Sequence, residues 1–479
     1  MLVLSAPSNS NLSETTKSLN IGHAHLVGIG GMGMKALATV LEMQGWQITG
    51  SDLCVEPSSR FHVELGHSAD HVLAMPDLVV YSPAIHADNI ELAVARRIGV
   101  PAISYPEMLG RLMGTQRGMA VAGTHGKSTT VAMTANILEA ARLDATVIVG
   151  ADSVDGRSIS RSGRGSHMLV EACEYRSSFL NLRPEVAVIL GIEADHFDYF
   201  TSFEHLERVF TDFVELLPSD GTVFVRSDCL TSIRVARAGK ARAVTFGLDC
   251  DADWQAQIVS IDRGRHRFDI LNRGRWVTTT SLQVPGHHNV INAIAAAALA
   301  DDAGASPEAI RQGLETFSGL RRRLEIVGTA RGVMIVDDYA HHPTEITAAL
   351  AAVRQMRPDG RICCVFEPHQ ASRTKSLLDE LAFSLQNADT LAVVDIFRAR
   401  EPAWQRGEIT SADLAARIER YGKYVAPTHR AQEIEDWIID QWRNGALADG
   451  DTVVTLGAGT IGSLANGVYN RIRKDCTSE

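Results

Sequence analysis

The chain has 479 residues, 45% of them hydrophobic, and a formal net charge of -11 at pH 7. Its length exceeds one ordinary core and divides into roughly two to four domains. The acidic balance excludes a general electrostatic footprint for nucleic acid, so anionic ligands need local basic residues or a metal.

The longest apolar run, INAIAAAALA, is too short to span a bilayer, which excludes membrane insertion. MLVLSAPSNSNLSETTKSLN lacks the basic-then-apolar order of a signal peptide. Seven cysteines without paired zinc spacing fit a reducing compartment, and the expected location is cytoplasmic.

The first expected unit covers residues 1–114. HLVGIGGMGM reads as a buried strand and tight turn, with Gly28, Gly30 and Gly33 satisfying GxGxxG. Asp52 in ITGSD lies near where a Rossmann fold holds a ribose. Such a loop lets a diphosphate approach the backbone at a helix N-terminus. NAD, another diphosphate ligand and a plain turn all remain open here. DLVVYSPA adds a strand, and the helical PEMLGRLMG closes the unit.

The second unit, 115–319, opens with MAVAGTHGKSTT. Two residues separate Gly123 from Gly126, where a P-loop has four. A strand, exposed N–H groups across Gly123, Thr124, His125 and Gly126, a cation at Lys127, and hydroxyls at Ser128 and Thr129 are the parts of an ATP phosphate cradle. A turn whose lysine faces water is the alternative. Two further buried runs, HMLVEACEYRSSF and VAVILGIEADHFDYF, carry Glu171 and Glu174, then Glu193, Asp195, His196 and Asp198. Magnesium prefers oxygen ligands, so Glu171 is the first metal candidate. His196 is a less typical contributor that could instead orient phosphate or water, or simply bond within its turn. GTVFVRSD through TTTSLQVPG is strand-rich, and GHHNVIN leads into an alanine-rich helix with Asn289 as a possible N-cap.

The third unit, 320–479, follows the hinge-like SGLRRRLEIVG. VMIVDDYAHHP, ICCVFEP, LAVVDIF and TVVTLGAG read as strands buried on both faces. Asp337, Asp338, Tyr339, His341 and His342 follow the first of them, where open α/β sheets place ligands.

GTHGKSTT, EACEYRSSF, IEADHFDYF, VPGHHNVINAIAA, FSGLRRRLE, DDYAHHPTEI and FEPHQASRT stand in the order found in the Mur ligase family of bacterial cell-wall synthesis, and the chain resembles that family from about residue 22 to 465. The resemblance implies an α/β fold of three domains: a Rossmann-like UDP-binding domain, a P-loop-type ATP-binding central domain and a Rossmann-like C-terminal domain that docks the amino acid. It implies an ATP- and Mg2+-dependent amide ligase joining L-alanine to the lactyl carboxylate of UDP-N-acetylmuramate, as a monomer or weak homodimer.

Residue by residue, the resemblance gives Gly30, Gly31, Gly33, Ser51, Asp52 and Ser82 to the UDP moiety. Lys127 goes to the β- and γ-phosphates, Ser128 and Glu171 to one magnesium, and His196 to a second metal position. His288, Asn289 and Asn292 belong to the adenine side, and Arg322, Arg323 and Asp337 also to ATP. Arg373, with Tyr339 and His341 beside it, is expected to grip the α-carboxylate of the amino acid. The proton acceptor stays open among His341, His196 and a metal-bound or substrate oxygen. The chain departs from the family pattern at Cys173, Gly191, Gln370 and Ala371, and no lysine lies between His196 and Leu217. Cys173 is expected as a buried or supporting thiol. A sister ligase that adds a preformed murein peptide is the nearest alternative, and an NAD dehydrogenase a more distant one.

Overall fold

The computed structural model describes residues 21–54, 60–399, 401–402, 405–426 and 431–474. The stretch weighed as a signal peptide, residues 1–20, and Cys476 lie outside them. No described helix is long and apolar enough to cross a membrane.

Three sheets form in chain order. The first joins β1 (His23–Val27), β2 (Gln47–Asp52), β3 (His62–Leu65), β4 (Leu78–Tyr81) and β5 (Ala102–Ser104) in the order 3-2-1-4-5. Every pairing in it is parallel. The strand order reverses direction at β1, so the crevice beyond its carboxyl end, where Gly28 begins the glycine loop, is the place such sheets bind ligands.

The second sheet contains β6 (Arg117–Ala122), β7 (Thr146–Ile148), β8 (His167–Glu171), β9 (Val186–Ile189), β10 (Thr222–Arg226), β11 (Arg242–Leu248), β12 (Trp254–Asp262), β13 (Arg265–Asn272) and β14 (Arg275–Ser281). Its order is 14-13-12-11-10-9-6-8-7. The continuous apolar runs form the parallel part, whereas the strand-rich middle portion ends in an antiparallel ribbon of β12 to β14. Helix Lys127–Ala140 is buried nearly all round, packed on helices His287–Asp302 and Pro307–Glu315. The alanines from Ala293 to Ala300 keep that layer thin enough for close helix contact.

The third sheet joins β15 (Glu325–Ala330), β16 (Val333–Asp338), β17 (Ile362–Phe366), β18 (Thr390–Val393), β19 (Val425–Ala426) and β20 (Thr452–Leu456) in the order 15-16-20-17-18-19. Only β15 runs antiparallel, at one edge. The apolar runs read as doubly buried strands are fully buried here: β16, β17 and β20 have every residue covered.

Candidate active site

Both glycine loops deliver the chain into helices whose first N–H groups have no side-chain cap. Helix Met32–Met43 begins after Gly31 and helix Lys127–Ala140 after Gly126, and neither has an acidic residue in its first turn. Ser104, Ser202, Ser306 and Thr410, by contrast, cap their helices. Open N–H groups backed by a helix dipole suit an anion.

In the central loop, Gly126 has φ 80°, and a Cβ there would collide with Asn292 Oδ1 of helix His287–Asp302. Only glycine tolerates both demands. Lys127 Nζ lies 3.0 Å from Glu174 and donates to the carbonyls of Gly123 and Thr124 at 2.5 and 3.1 Å. Burial opposes the charge on Lys127, but Glu174 outweighs it and raises the ammonium pKa. Ser128 Oγ donates to Glu171 Oε2 at 2.9 Å. His196, itself at φ 53°, places Nε2 3.3 Å from Glu174 Oε1. Glu174 is 2% exposed and therefore joins Lys127 to His196 inside the protein.

The C-terminal sheet and its loops close over this loop. His125 Nδ1 lies 3.0 Å from Glu345, and its Nε2 lies 3.5 Å from Glu193. Thr344 Oγ1 donates to Glu193 at 2.5 Å, and His342 Nε2 donates to the Ala194 carbonyl at 3.3 Å. Arg373 binds Asp195 at 2.7 Å. Between these contacts lies a cavity whose walls include Gly126, Thr129, His288, Asn292, Arg323 and Asp338. Three stretches distant in sequence, the phosphate loop, GHHNVIN and the hinge block, thus meet in one place.

Burial alone would lower the pKa of His125, but Glu345 and Glu193 outweigh it and lift the pKa to about 9. A group raised in the folded protein contributes stability fully below its ordinary value of 6.5, and that contribution fades as pH rises through the folded value. Closure of the cleft should therefore loosen between pH 6.5 and about 9. Small-angle scattering across that range checks this, and His125→Gln should remove this part of the pH dependence.

Several expected contacts sit differently. Asn289 is not the N-cap of its helix, which is Gly286; its side chain donates to the Pro285 carbonyl at 2.7 Å and accepts from Asn292 at 3.3 Å. Asp337 is 3% exposed and holds Arg322 and Thr455, while its neighbour Asp338 lines the cavity, because successive strand residues face opposite ways. Arg322 and Arg323 both lie over the Tyr339 ring, at 5.1 and 5.0 Å. Arg373, expected to hold a substrate carboxylate, has Nε and Nη2 on Asp195 and Nη1 on His369. Cys173 is accessible at the surface, yet its thiol stands beside Glu174 and Lys127, where the surrounding protein raises its pKa.

In the N-terminal unit, Gly30 N–H donates to Asp52 at 2.8 Å, and a Cβ on Gly30 would clash with that same carboxylate. The Ser51 hydroxyl faces away from the loop and donates to buried Glu91 at 2.8 Å, while its carbonyl accepts from Gly28 and Ile29. Ser82 packs under Gly28, and the next residue, Pro83, accepts at 2.7 Å from Arg176, which follows Glu174 in the central sheet's site loop. That bond sets the two glycine loops on facing sides of one junction.

The Mur ligase family catalytic domain matches residues 23–117, the Mur ligase middle domain residues 121–300, and the Mur ligase glutamate ligase domain residues 322–459. The UDP-N-acetylmuramate–L-alanine ligase of Clostridium novyi is 37% identical over 91% of this chain and 95% of its own length. The chain belongs to the Mur ligase family. Its counterpart from Caldanaerobacter subterraneus is 38% identical over 91% of the chain and 95% of its own length. Among solved structures, the UDP-N-acetylmuramate-alanine ligase of Thermotoga maritima superposes with a TM-score of 0.78 at 25% identity, covering 95% of this chain and all of that one. A murein peptide ligase from Psychrobacter arcticus gives 0.68 at 25% identity, covering 94% and 98%.

The features of this Mur ligase that motif reading passed over are pairings between domains. Glu345 bonds His125 from another domain and also accepts from the His341 and His342 N–H groups at the start of its own helix. The spacing of His342 and Glu345 is that of a capping box, which signals the local bond. Nothing local signals the partner in the central domain. Non-glycine residues around the cleft, among them His196, Arg322 and Gln370, adopt positive φ, the backbone strain that surroundings must hold in place at ligand clamps.

Proposed function

We propose that this Mur ligase joins L-alanine to the lactyl carboxylate of UDP-N-acetylmuramate at the expense of ATP, giving UDP-N-acetylmuramoyl-L-alanine, ADP and phosphate. The observation that carries this reading is the near full-length similarity to relatives of that name, spanning all three domains. An NAD dehydrogenase would have no use for Lys127, Ser128 and Glu171 at an uncapped helix N-terminus.

A carboxylate oxygen leaves poorly, so the lactyl carboxylate first attacks the γ-phosphorus of ATP, releasing ADP and forming an acyl phosphate. The amine of alanine then attacks the acyl carbon, and the tetrahedral adduct expels phosphate. Lys127 stabilises the charge on the transferred phosphoryl, and the open N–H groups of residues 126–129 hold the neighbouring phosphates. Gly30, Gly31 and Gly33, with the uncapped helix behind them, receive the UDP diphosphate. His288, Asn289 and Asn292 form the adenine side of the cavity, and Arg323 reaches the phosphates from the hinge.

The hydroxyl of Ser128 and the carboxylate of Glu171 are hard oxygen donors set side by side, which fits magnesium. Magnesium held there would supply charge neutralisation to the phosphates. His196 is the weaker candidate for a second metal position, because its Nε2 faces Glu174.

The incoming amine must lose a proton, and His341 is the better placed acceptor. Its Nδ1 lies 3.0 Å from the Tyr339 carbonyl, which can only accept, so Nδ1 carries the hydrogen and Nε2 keeps a lone pair. Burial lowers its pKa to about 4, which keeps the ring neutral at physiological pH but makes it a weak base, so the proton passes to it only as the amine nitrogen bonds to the acyl carbon and becomes acidic.

The deciding experiment supplies UDP-N-acetylmuramate, ATP, magnesium and one amino acid or peptide at a time, and detects the new amide by mass spectrometry. Product with L-alanine supports the reading; turnover only with a murein peptide would replace it with the sister reaction. Glu171→Gln should keep the fold and raise the magnesium concentration needed for half-maximal rate, measured by magnesium titration at fixed ATP.

A further inference from the structure

A second cluster of ligand-type side chains lies in the N-terminal domain, and the reaction makes no use of it. Glu91, fully buried near the start of helix Ile90–Ile98, is surrounded by three imidazoles from three different places in the chain. His25 Nε2 of β1 lies 3.1 Å from it, His71 Nδ1 of the short helix Asp70–Leu73 lies 3.0 Å away, and His67 Nδ1 of the preceding loop lies 3.2 Å away. The donor atoms of His25, His71 and Glu91 all fall within 4.8 Å of one another. We infer that His25, His71 and Glu91 form a site for a zinc-type divalent cation, with His67 at its edge.

Three observations carry this. The first is chemical: two imidazole nitrogens and one carboxylate make a three-ligand set suited to zinc and poorly suited to magnesium. The second is metric. Bonds of about 2.0–2.1 Å in a tetrahedron separate neighbouring donors by about 3.3 Å; the His25 and His71 nitrogens stand 3.1 and 3.0 Å from the Glu91 carboxylate, and the three donors fall within 4.8 Å of one another.

The third is the orientation of the ligands. The other nitrogen of His25 is bonded to Thr49 Oγ1 at 2.9 Å, the kind of outer contact that aims a metal-binding ring. His67 and His71 have side chains 17% and 14% exposed, which leaves the cation a path inward, whereas His25 is 2% exposed at the back. The site also touches the glycine loop. The Ser51 hydroxyl donates to Glu91, and the Ser51 carbonyl accepts from Gly28 and Ile29, so the cation would clip β1, β2 and the loop at a single point.

The competing account is a buried carboxylate satisfied by imidazole N–H groups alone. To separate them, the full-length protein is stripped with a chelator and titrated with Zn2+ in excess Mg2+ against a chromophoric competitor. Co2+ substitution then reports the coordination geometry. The proposal expects the wild type to take up one more equivalent than His67→Ala/His71→Ala, a tetrahedral Co2+ spectrum lost in that variant, and a rise in melting temperature with Zn2+ in the wild type only. Equal stoichiometry in both proteins, or an octahedral Co2+ spectrum, overturns it. Should the double variant fail to fold, Thr49→Val keeps all three ligands and removes the outer contact of His25. It should weaken zinc binding by about 10–100-fold, and unchanged affinity would overturn the proposal.

Discussion

Lys127→Ala is expected to lower the turnover of amide product by about 10²–10³-fold, the usual cost of deleting one preorganised electrostatic group at a reacting centre. Binding of UDP-N-acetylmuramate, followed by calorimetry without ATP, should stay within a few-fold of wild type, because the first glycine loop belongs to a different sheet. A second consequence follows from the geometry around the lysine. Glu174 is buried and shared between Lys127 and His196, so removing the ammonium leaves the carboxylate with the imidazole alone. Lys127→Ala/Glu174→Gln should therefore regain stability without regaining turnover. Loss of sugar-nucleotide binding with retained ATP chemistry would contradict the division of labour between the two loops.

Arg373→Ala is expected to cost about 3–5 kcal/mol of stability, the penalty for leaving a buried charge without its partner. Arg373 and Asp195 are 2% and 7% exposed and come from different domains, so much of the loss should appear as opening of the cleft. Urea denaturation gives the magnitude and small-angle scattering the opening. Burial opposes ionisation of Asp195, but Arg373 more than compensates and holds its pKa well below the carboxylate range. A depressed carboxylate contributes stability above its ordinary pKa of 3.8 and loses it only in more acid solution. The pair should therefore hold throughout the neutral range. Asp195→Asn separates the two roles considered for Arg373. If the guanidinium also serves the amino acid, this variant lowers or preserves KM for alanine while Arg373→Ala raises it; parallel rises in both would make the ion pair itself the requirement.

Strands were legible because a buried parallel strand advertises itself as a short, unbroken apolar run, as ICCVF and TVVTL do. The phosphate loop was legible for the same local reason: strand, glycines, lysine and hydroxyls are contiguous. What escaped is set by the alternation of strands and by contacts between distant segments. Asp337 and Asp338 are indistinguishable as letters, yet the pleat sends one to Arg322 and the other to the cavity. Ser51 and Asp52 divide in the same way, one to Glu91 and the other to Gly30. Arg373 has the right chemistry for a substrate carboxylate, and only three-dimensional packing reveals Asp195 already in its fork. The latch of His125 on Glu345 spans 220 positions, beyond the reach of any local pattern.

The close approach of Gly126 to Asn292 bears on how the protein is made. The phosphate loop leaves the ribosome early, but one wall of it is helix His287–Asp302, which is translated much later, after the whole antiparallel ribbon. Synthesis proceeds at about 5–20 residues per second, so for roughly 10–30 seconds the nascent chain carries every residue of the loop without the helix that forms its wall. Nucleotide affinity, and any stabilisation of the nascent central domain by nucleotide, must therefore arrive late in translation and abruptly, with a single helix.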